Sequence, residues 1–329
     1  MNKYTGHASQ TRGAEEHILK GGKGDGMRLL TVRNGKGLDF TISLDRAADI
    51  SRLSFKGTNM GYFAPCGYVA PMYYNGDFLK SFTAGFFTTC GLTTVGTPTI
   101  DDGEDLPLHG TISNIPAEKV SVEETDFGIT VKAEIREASL FGRKLVLRRT
   151  YFISYENSEI TLSDEIVNEG GDTSPVMILY HCNMGYPLLS ENSVVKIPNN
   201  GIKPRTEDAA KGVPEALNMQ KPEKGFVEQC FYFDVLEKDG FANAGIFSPD
   251  ESVGVVLSFD KNTLDYFTEW KMMGETEYVL GLEPGNCTPD GRIFLRERCE
   301  LKFVAPGESY KTTLKFKFYN NIDSFNEEF

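Results

Sequence analysis

Apolar and polar positions alternate along most of this chain with the two-residue period of half-buried strands. Leu38, Phe40 and Ile42 alternate with polar neighbours within the segment Gly37–Leu44, after a first strand expected at Met27–Val32. The same pattern predicts successive antiparallel strands at Lys119–Glu123, Ile129–Arg136, Lys144–Ile153 and Glu159–Val167, joined by short polar turns. A more continuously apolar run, Pro175–Asn183, reads as a well-buried strand. Further strands are expected at Glu228–Phe233, Ala244–Phe247, Val253–Phe259, Phe267–Lys271 and Glu277–Glu283. The stretches Arg298–Val304 and Tyr310–Phe318 read as a closing hairpin around Ala305-Pro306-Gly307-Glu308. Residues 199–228 look like an excursion from the sheet, with one short helix at Glu207–Lys211. No βαβ rhythm, linker or internal repeat interrupts the series, so residues 1–329 are expected to form a single all-β domain.

Composition fits this picture. With 40% hydrophobic residues, 33 Gly and 15 Pro in 329 residues, the chain is globular and rich in turns. A net charge of −13 argues against a nucleic-acid partner, since phosphate binders carry a basic face. A small neutral ligand fits better, although solubility alone also accounts for the charge. Six cysteines lie far apart, without C-x-x-C pairs or zinc-like spacing, and read as free thiols in the cytoplasm. No secretory signal is visible at the start and no apolar run approaches the ~20 residues needed to cross a bilayer. A monomer or a homodimer is expected.

Four stretches carry candidate chemistry. The run from Tyr278 ends in Gly281-Leu282-Glu283-Pro284-Gly285, and alternation puts Glu283 on the same face as Val279 and Gly281. A carboxylate over small residues at a strand end suits a general base, or is a solvated strand end. In the run to Asn183, alternation gives Leu179, His181 and Asn183 a common face. His181 is then a functional imidazole or a core histidine bonded to a carbonyl. The segment 61–100 holds nine of the aromatic residues among glycines, including Phe78 and Phe82; it reads as a long loop packed by its own rings or as a platform for sugar C–H faces. Arg46, in the turn Asp45–Ile50, has a planar fork suited to sugar hydroxyls or a carboxylate, though a surface role is the common one.

Taken in order, Asp45-Arg46, Thr89-Cys90-Gly91-Leu92, Pro107-Leu108-His109-Gly110, Ile115-Pro116-Ala117, His181 to Pro187, Trp270-Lys271 and Gly281 to Pro284 resemble the aldose 1-epimerase (galactose mutarotase) superfamily. The closer resemblance is to a bacterial, aldose-epimerase-like branch carried as a domain of unknown function, and it runs from about residue 9 to about residue 319. The resemblance implies a β-supersandwich of two large antiparallel sheets packed face to face. It also implies interconversion of the α and β anomers of a small-molecule sugar, without metal, nucleotide or redox cofactor. Glu283 matches the family's base, His181 its acid, and His109 its second histidine.

Some positions depart from the family. The window 78–103 before His109 has Lys80 as its sole basic residue, where galactose mutarotases carry a sugar-binding Arg, and their upstream Asp has no match. Arg46, Glu228 and Lys271 are candidate substitutes, with Asn183 and Trp270 as further sugar contacts. Thr111 stands where the branch is expected to have Arg. Two other outcomes remain open on these residues: a non-catalytic sugar binder or sensor on the same fold, and a sugar isomerase or epimerase acting at another carbon.

Overall fold

The computed structural model describes residues 3–329. Two antiparallel sheets dominate it. The nine-stranded sheet runs Lys119–Glu124, Gly128–Ala138, Lys144–Ser154, Glu159–Asn168, Ser309–Tyr319, Val253–Asp260, Phe241–Ser248 and Val194–Lys196, with Glu237–Lys238 also paired to Phe241–Ser248. The seven-stranded sheet runs Asn199–Pro204, Gln229–Val235, Tyr266–Met273, Tyr278–Gly285 and Ser174–Gly185. The far edge of Ser174–Gly185 is shared by Lys302–Val304 and Phe87–Leu92. A five-stranded sheet from Gly13–Ile18 to Thr58–Asn59 precedes both, and one hydrophobic cluster draws residues from all three.

The alternation seen in sequence is realised in the nine-stranded sheet, where Ile160, Leu162, Asp164 and Ile166 are buried between more exposed neighbours. Their inner face meets the inner face of the other sheet. Phe316 stacks on Phe87 with centroids 5.8 Å apart, and Phe259 on Phe267 at 5.5 Å. Ile178, Tyr180 and Cys182 belong to the core between the sheets, so Leu179, His181 and Asn183 project from the opposite face. Every residue of Ser174–Gly185 and of Tyr278–Gly285 is buried. The second face of this sheet is therefore covered too.

A buried guanidinium ties the sheets together. Arg149 donates to both Asp164 carboxylate oxygens at 3.0 and 2.7 Å, to Asp49 Oδ1 at 2.5 Å, to Ala47 O at 2.9 Å and to Thr89 Oγ1 at 2.8 Å. Thr89 in turn donates its N–H and hydroxyl to Asp49, at 2.8 and 2.6 Å. Tyr180, on the strand that carries His181, donates to Asp164 Oδ2 at 2.8 Å.

Three sequence expectations need correction. The closing hairpin does not form: Lys302–Val304 joins the seven-stranded sheet, and Ser309–Tyr319 lies in the nine-stranded one between Glu159–Asn168 and Val253–Asp260. The aromatic stretch is not all loop, because Phe87–Leu92 is a strand whose two buried faces erase the alternation. The strands Gly13–Ile18 and Asp49–Phe55 and the helix Arg292–Glu297 are not foreseen from the pattern at all. The short helix does form, at Glu207–Gly212, with the Thr206 side chain accepting from Ala209 N as its N-cap.

Candidate active site

Strand register decides which side chains meet. Cys182 pairs with Leu282 and Asn183 with Gly281, which sets His181 across from Glu283. On the other side Glu283 pairs with Thr268 and Gly281 with Trp270, and these pair with Tyr232 and Cys230. Thr88 pairs with His181. One row across the outer face thus reads Thr88, His181, Glu283, Thr268, Tyr232, and the next reads Asn183, Gly281, Trp270, Cys230.

Glu283 is 2% exposed. Its carboxyl folds back over Gly281: a Cβ there would overlap Glu283 Oε1 and stand 3.0 Å from Trp270 Cβ. The absent side chain is what makes room for the acid. Gly281→Ala is therefore expected to leave the fold intact, to displace the carboxyl by about 1 Å and to lower the rate of any reaction that this carboxyl carries by about 10²-fold. Equal turnover in this variant would show that the carboxyl position is not critical.

His181 Nε2 lies 3.2 Å from Glu283 Oε1, yet without hydrogen-bond alignment, so Oε1 is left without a donor. The His181 ring makes edge contacts with Phe82 and Trp270, both at 5.2 Å between centroids, and with His109 at 5.7 Å. His109 comes from a turn outside the sheet, with φ of 58° followed by Gly110 at 76°. Its N–H donates to Gly96 O and its own carbonyl accepts from Gly91 N, each at 3.0 Å. Phe78 lies 4.9 Å from the His109 ring and stacks on Phe82 at 4.8 Å. Part of the aromatic stretch therefore forms the roof over the histidines. The Thr111 hydroxyl donates to the half-buried Glu137, whose other oxygen accepts from Leu92 N at 3.2 Å. This gives Thr111 a role in fixing the His109 turn.

Five buried polar atoms here have no partner: His109 Nδ1, His181 Nδ1, Asn183 Oδ1, Thr268 Oγ1 and Glu283 Oε1. Buried polar groups are nearly always paired, so such a concentration marks a place made for a ligand rich in donors and acceptors. Burial, with a smaller push from Glu228, drives the Glu283 carboxyl well above its ordinary range, while Arg205 pulls the other way. Burial takes His181 down to about 4, opposed by the neighbouring Asn183 side chain. His109 falls to about 3 through burial and then through the charges of His181 and Arg205. The Glu283 carboxyl and the His181 ring, 3.2 Å apart, are thus both driven towards their neutral forms.

Burial of the His109 ring makes stability depend on pH. Below the unfolded value of about 6.5, the unfolded chain binds a proton at His109 that the folded protein does not bind until about pH 3. The contribution of the neutral ring is present above pH 6.5 and is lost as pH falls through that window. Urea unfolding at pH 7 and pH 4.5 should show the stability difference between wild type and His109→Asn turning against wild type at the lower pH. A difference that stays constant would contradict the burial of this ring.

Two of the candidate residues, Trp270 and Asn183, lie beside His181. Trp270, the chain's one tryptophan, donates Nε1–H to Glu228 Oε2 at 2.7 Å at the exposed rim, and Asn183 Nδ2 donates to His181 O at 2.7 Å. Two other candidates are placed elsewhere. Lys271 is 1% exposed on the opposite face of its strand and donates to Glu215 O and Asn218 O at 2.7 and 2.6 Å. Beside it Glu269 is raised to about 8 by burial, partly offset by Lys271. Arg46 donates to the carbonyls of Ser113, Val69 and Ser81 and braces the aromatic segment from below. Sequence reasoning missed Arg205, whose charge reaches both Glu283 and His109. It donates to Asp290 Oδ1 at 3.0 Å and Thr97 Oγ1 at 3.0 Å, and Tyr232 donates to the same Asp290 oxygen at 2.8 Å. Arg205 sits one residue beyond a strand in a polar segment, and nothing local distinguishes it from a surface cation.

Among the described residues no cluster of His, Cys, Asp and Glu is arranged to hold a metal ion, and all six cysteines are free thiols. Among the described residues no helix is long and apolar enough to cross a membrane.

Solved structures share this architecture. A protein from Klebsiella pneumoniae subsp. pneumoniae, provisionally assigned as an aldose 1-epimerase, is 26% identical with a TM-score of 0.91, over 95% of this chain and 85% of that one. A galactose mutarotase-like protein from Clostridium acetobutylicum is 16% identical, TM-score 0.67, over 94% and 99% of the two chains. The galactose 1-epimerase of Lactobacillus acidophilus NCFM is 14% identical, TM-score 0.62, over 93% and 98%. The latter two identities establish likeness of fold alone. The fold is therefore the galactose mutarotase-like β-supersandwich expected from the sequence. No curated protein matches the chain. Residues 24–318 match the model of a domain of unknown function, DUF4432, and the chain belongs to that family.

Proposed function

We propose that the protein is an aldose 1-epimerase that interconverts the α and β anomers of an aldose, with Glu283 as base and His181 as acid. The observation that carries this reading is the Glu283–His181 contact of 3.2 Å between two buried groups of opposite type, set among unpaired polar atoms. Opening a hemiacetal requires a proton to leave the C1 hydroxyl while another reaches the ring oxygen. Passing the carboxyl proton of Glu283 to the neutral His181 ring makes carboxylate and imidazolium together, with no net change in protonation. Glu283 then accepts the hydroxyl proton, the bond between C1 and the ring oxygen breaks, and His181 protonates that oxygen. Rotation of the free aldehyde followed by the reverse transfers closes the ring on its other face. His109, neutral and unpaired at Nδ1, hydrogen-bonds the ring-oxygen side, and Asn183 and Thr268 meet other hydroxyls. Trp270, Phe78 and Phe82 offer apolar faces to the sugar's C–H groups.

The six free thiols fit work in a reducing compartment such as the cytoplasm. Polarimetry tests the proposal: the rotation of a freshly dissolved α-aldose should reach equilibrium faster with protein present, with no solvent deuterium appearing on carbon. Deuterium at carbon would instead make the protein an epimerase or isomerase at another position.

A further inference from the structure

We propose that Arg205 is a specificity-determining residue of the Glu283 site, donating a hydrogen bond from Nη1 to a hydroxyl on the sugar edge opposite C1, at C3 or C4. The proposal rests on the mutarotase reading, which puts C1 at Glu283.

Strand register brings Arg205 to the site. Pro204 pairs with Phe231, whose side chain lies in the core between the sheets. Arg205, one residue on, therefore faces outward opposite Cys230, and its backbone N–H donates to Cys230 O at 2.9 Å. The row Asn183, Gly281, Trp270, Cys230 thus ends in Arg205. Three strand spacings, about 14 Å, separate the backbones of Gly281 and Arg205. The side chain turns back across this span. Asp290 Oδ1, which takes the Arg205 Nε–H at 3.0 Å, also accepts from Tyr232, and Tyr232 ends the row that holds His181 and Glu283. Nη2 donates to Thr97 Oγ1 and Pro289 O at 3.0 and 3.1 Å. Thr97 follows Gly96, whose carbonyl accepts the His109 N–H. The guanidinium is therefore braced against both the Glu283 row and the His109 turn, and its charge acts on both groups.

One donor is left over. Nε and Nη2 are engaged by protein oxygens, whereas Nη1 has no oxygen partner among the described residues, and the Cys230 thiol beside the guanidinium is a weak acceptor. The side chain is 30% exposed, and Trp270, Cys230 and Tyr232, between it and Glu283, are half-buried, so the site opens on this side. Three bonds on the other two nitrogens fix the plane of the fork, and little freedom is lost when Nη1 binds. Asp290 already balances the cation, and Glu228 adds negative charge at the Trp270 rim. The fitting acceptor is therefore a neutral hydroxyl and not a carboxylate or phosphate.

Exchange NMR on glucose and galactose and on their 2-, 3- and 4-deoxy analogues, with wild type and Arg205→Gln, tests the contact. Loss of the contacted hydroxyl, at C3 or C4, should lower kcat/KM of wild type by about tenfold or more, the scale of a hydrogen bond to a charged group. The same loss should cost Arg205→Gln about threefold or less, while the 2-deoxy penalty stays equal in the two proteins. A merely structural role would slow all sugars alike and leave every deoxy penalty unchanged, which would overturn the proposal; so would a change confined to the 2-deoxy sugars. If Arg205→Gln does not fold, the double variant R205Q/D290N, which leaves no unpaired carboxylate, carries the same comparison. If no sugar shows accelerated exchange, the mutarotase reading fails separately, and Trp270 fluorescence titration applies the same cycle to Kd. Coupling between Arg205 and the 3- or 4-hydroxyl in binding supports the contact; additive losses, or no binding, overturn it.

Discussion

Glu283→Gln is expected to lower kcat/KM for anomer exchange by about 10³-fold, within the span that positioned acid–base groups contribute. The amide has the shape of the acid and keeps an oxygen above Gly281, so KM should change far less than kcat. It cannot take the C1 hydroxyl proton. Stability should hold or rise, because burial already drives this carboxyl towards its neutral form and the amide is neutral at every pH. Steady-state polarimetry together with a thermal melt separates the two effects. A variant within threefold of wild type would remove Glu283 from the mechanism, while a variant that fails to fold would contradict the neutral-acid picture.

The second large effect concerns Arg149, fully buried between the sheets. Arg149→Met should destabilise the fold by about 3–5 kcal/mol, since it leaves Asp164 and Asp49 buried without their cation. Arg149→Lys should rescue little of this, because one ammonium cannot reproduce the paired bonds to Asp164 together with those to Asp49, Ala47 O and Thr89. The same network orders the strands behind His181 through Thr89 and Tyr180. Urea unfolding reads the loss as a lower midpoint. A change below about 1 kcal/mol would mean that the carboxyls are protonated or solvated rather than paired.

How much of this was legible in the sequence depended on whether local alternation was enough. Gly281 and Glu283 could be put on one face from a period of two, as could His181 and Asn183, and the structure brings these four together. Trp270 and Lys271 were both named as sugar contacts, although neighbours on a strand point to opposite faces and only one could reach the site. The structure sets Trp270 against the His181 ring and turns Lys271 to loop carbonyls. Arg46 looked like a free fork because the three carbonyls that bind it, at residues 69, 81 and 113, are remote in sequence. Arg205, Tyr232 and Asp290 were illegible for a related reason: their convergence depends on pairing between distant strands. The tail hairpin failed because two strands adjacent in sequence enter different sheets, a choice made by core packing and not by the turn between them.

The central claim is that the buried Glu283–His181 pair moves protons on a sugar's hemiacetal. Two-dimensional exchange NMR on a panel of neutral and acidic aldoses tests it most directly, with Trp270 fluorescence reporting occupancy in the same samples. The account predicts that wild-type protein speeds α/β exchange for at least one sugar and that Glu283→Gln binds this sugar without speeding it. A sugar that binds tightly while its anomers exchange at the uncatalysed rate would contradict the account and make the protein a binder on an enzyme's fold.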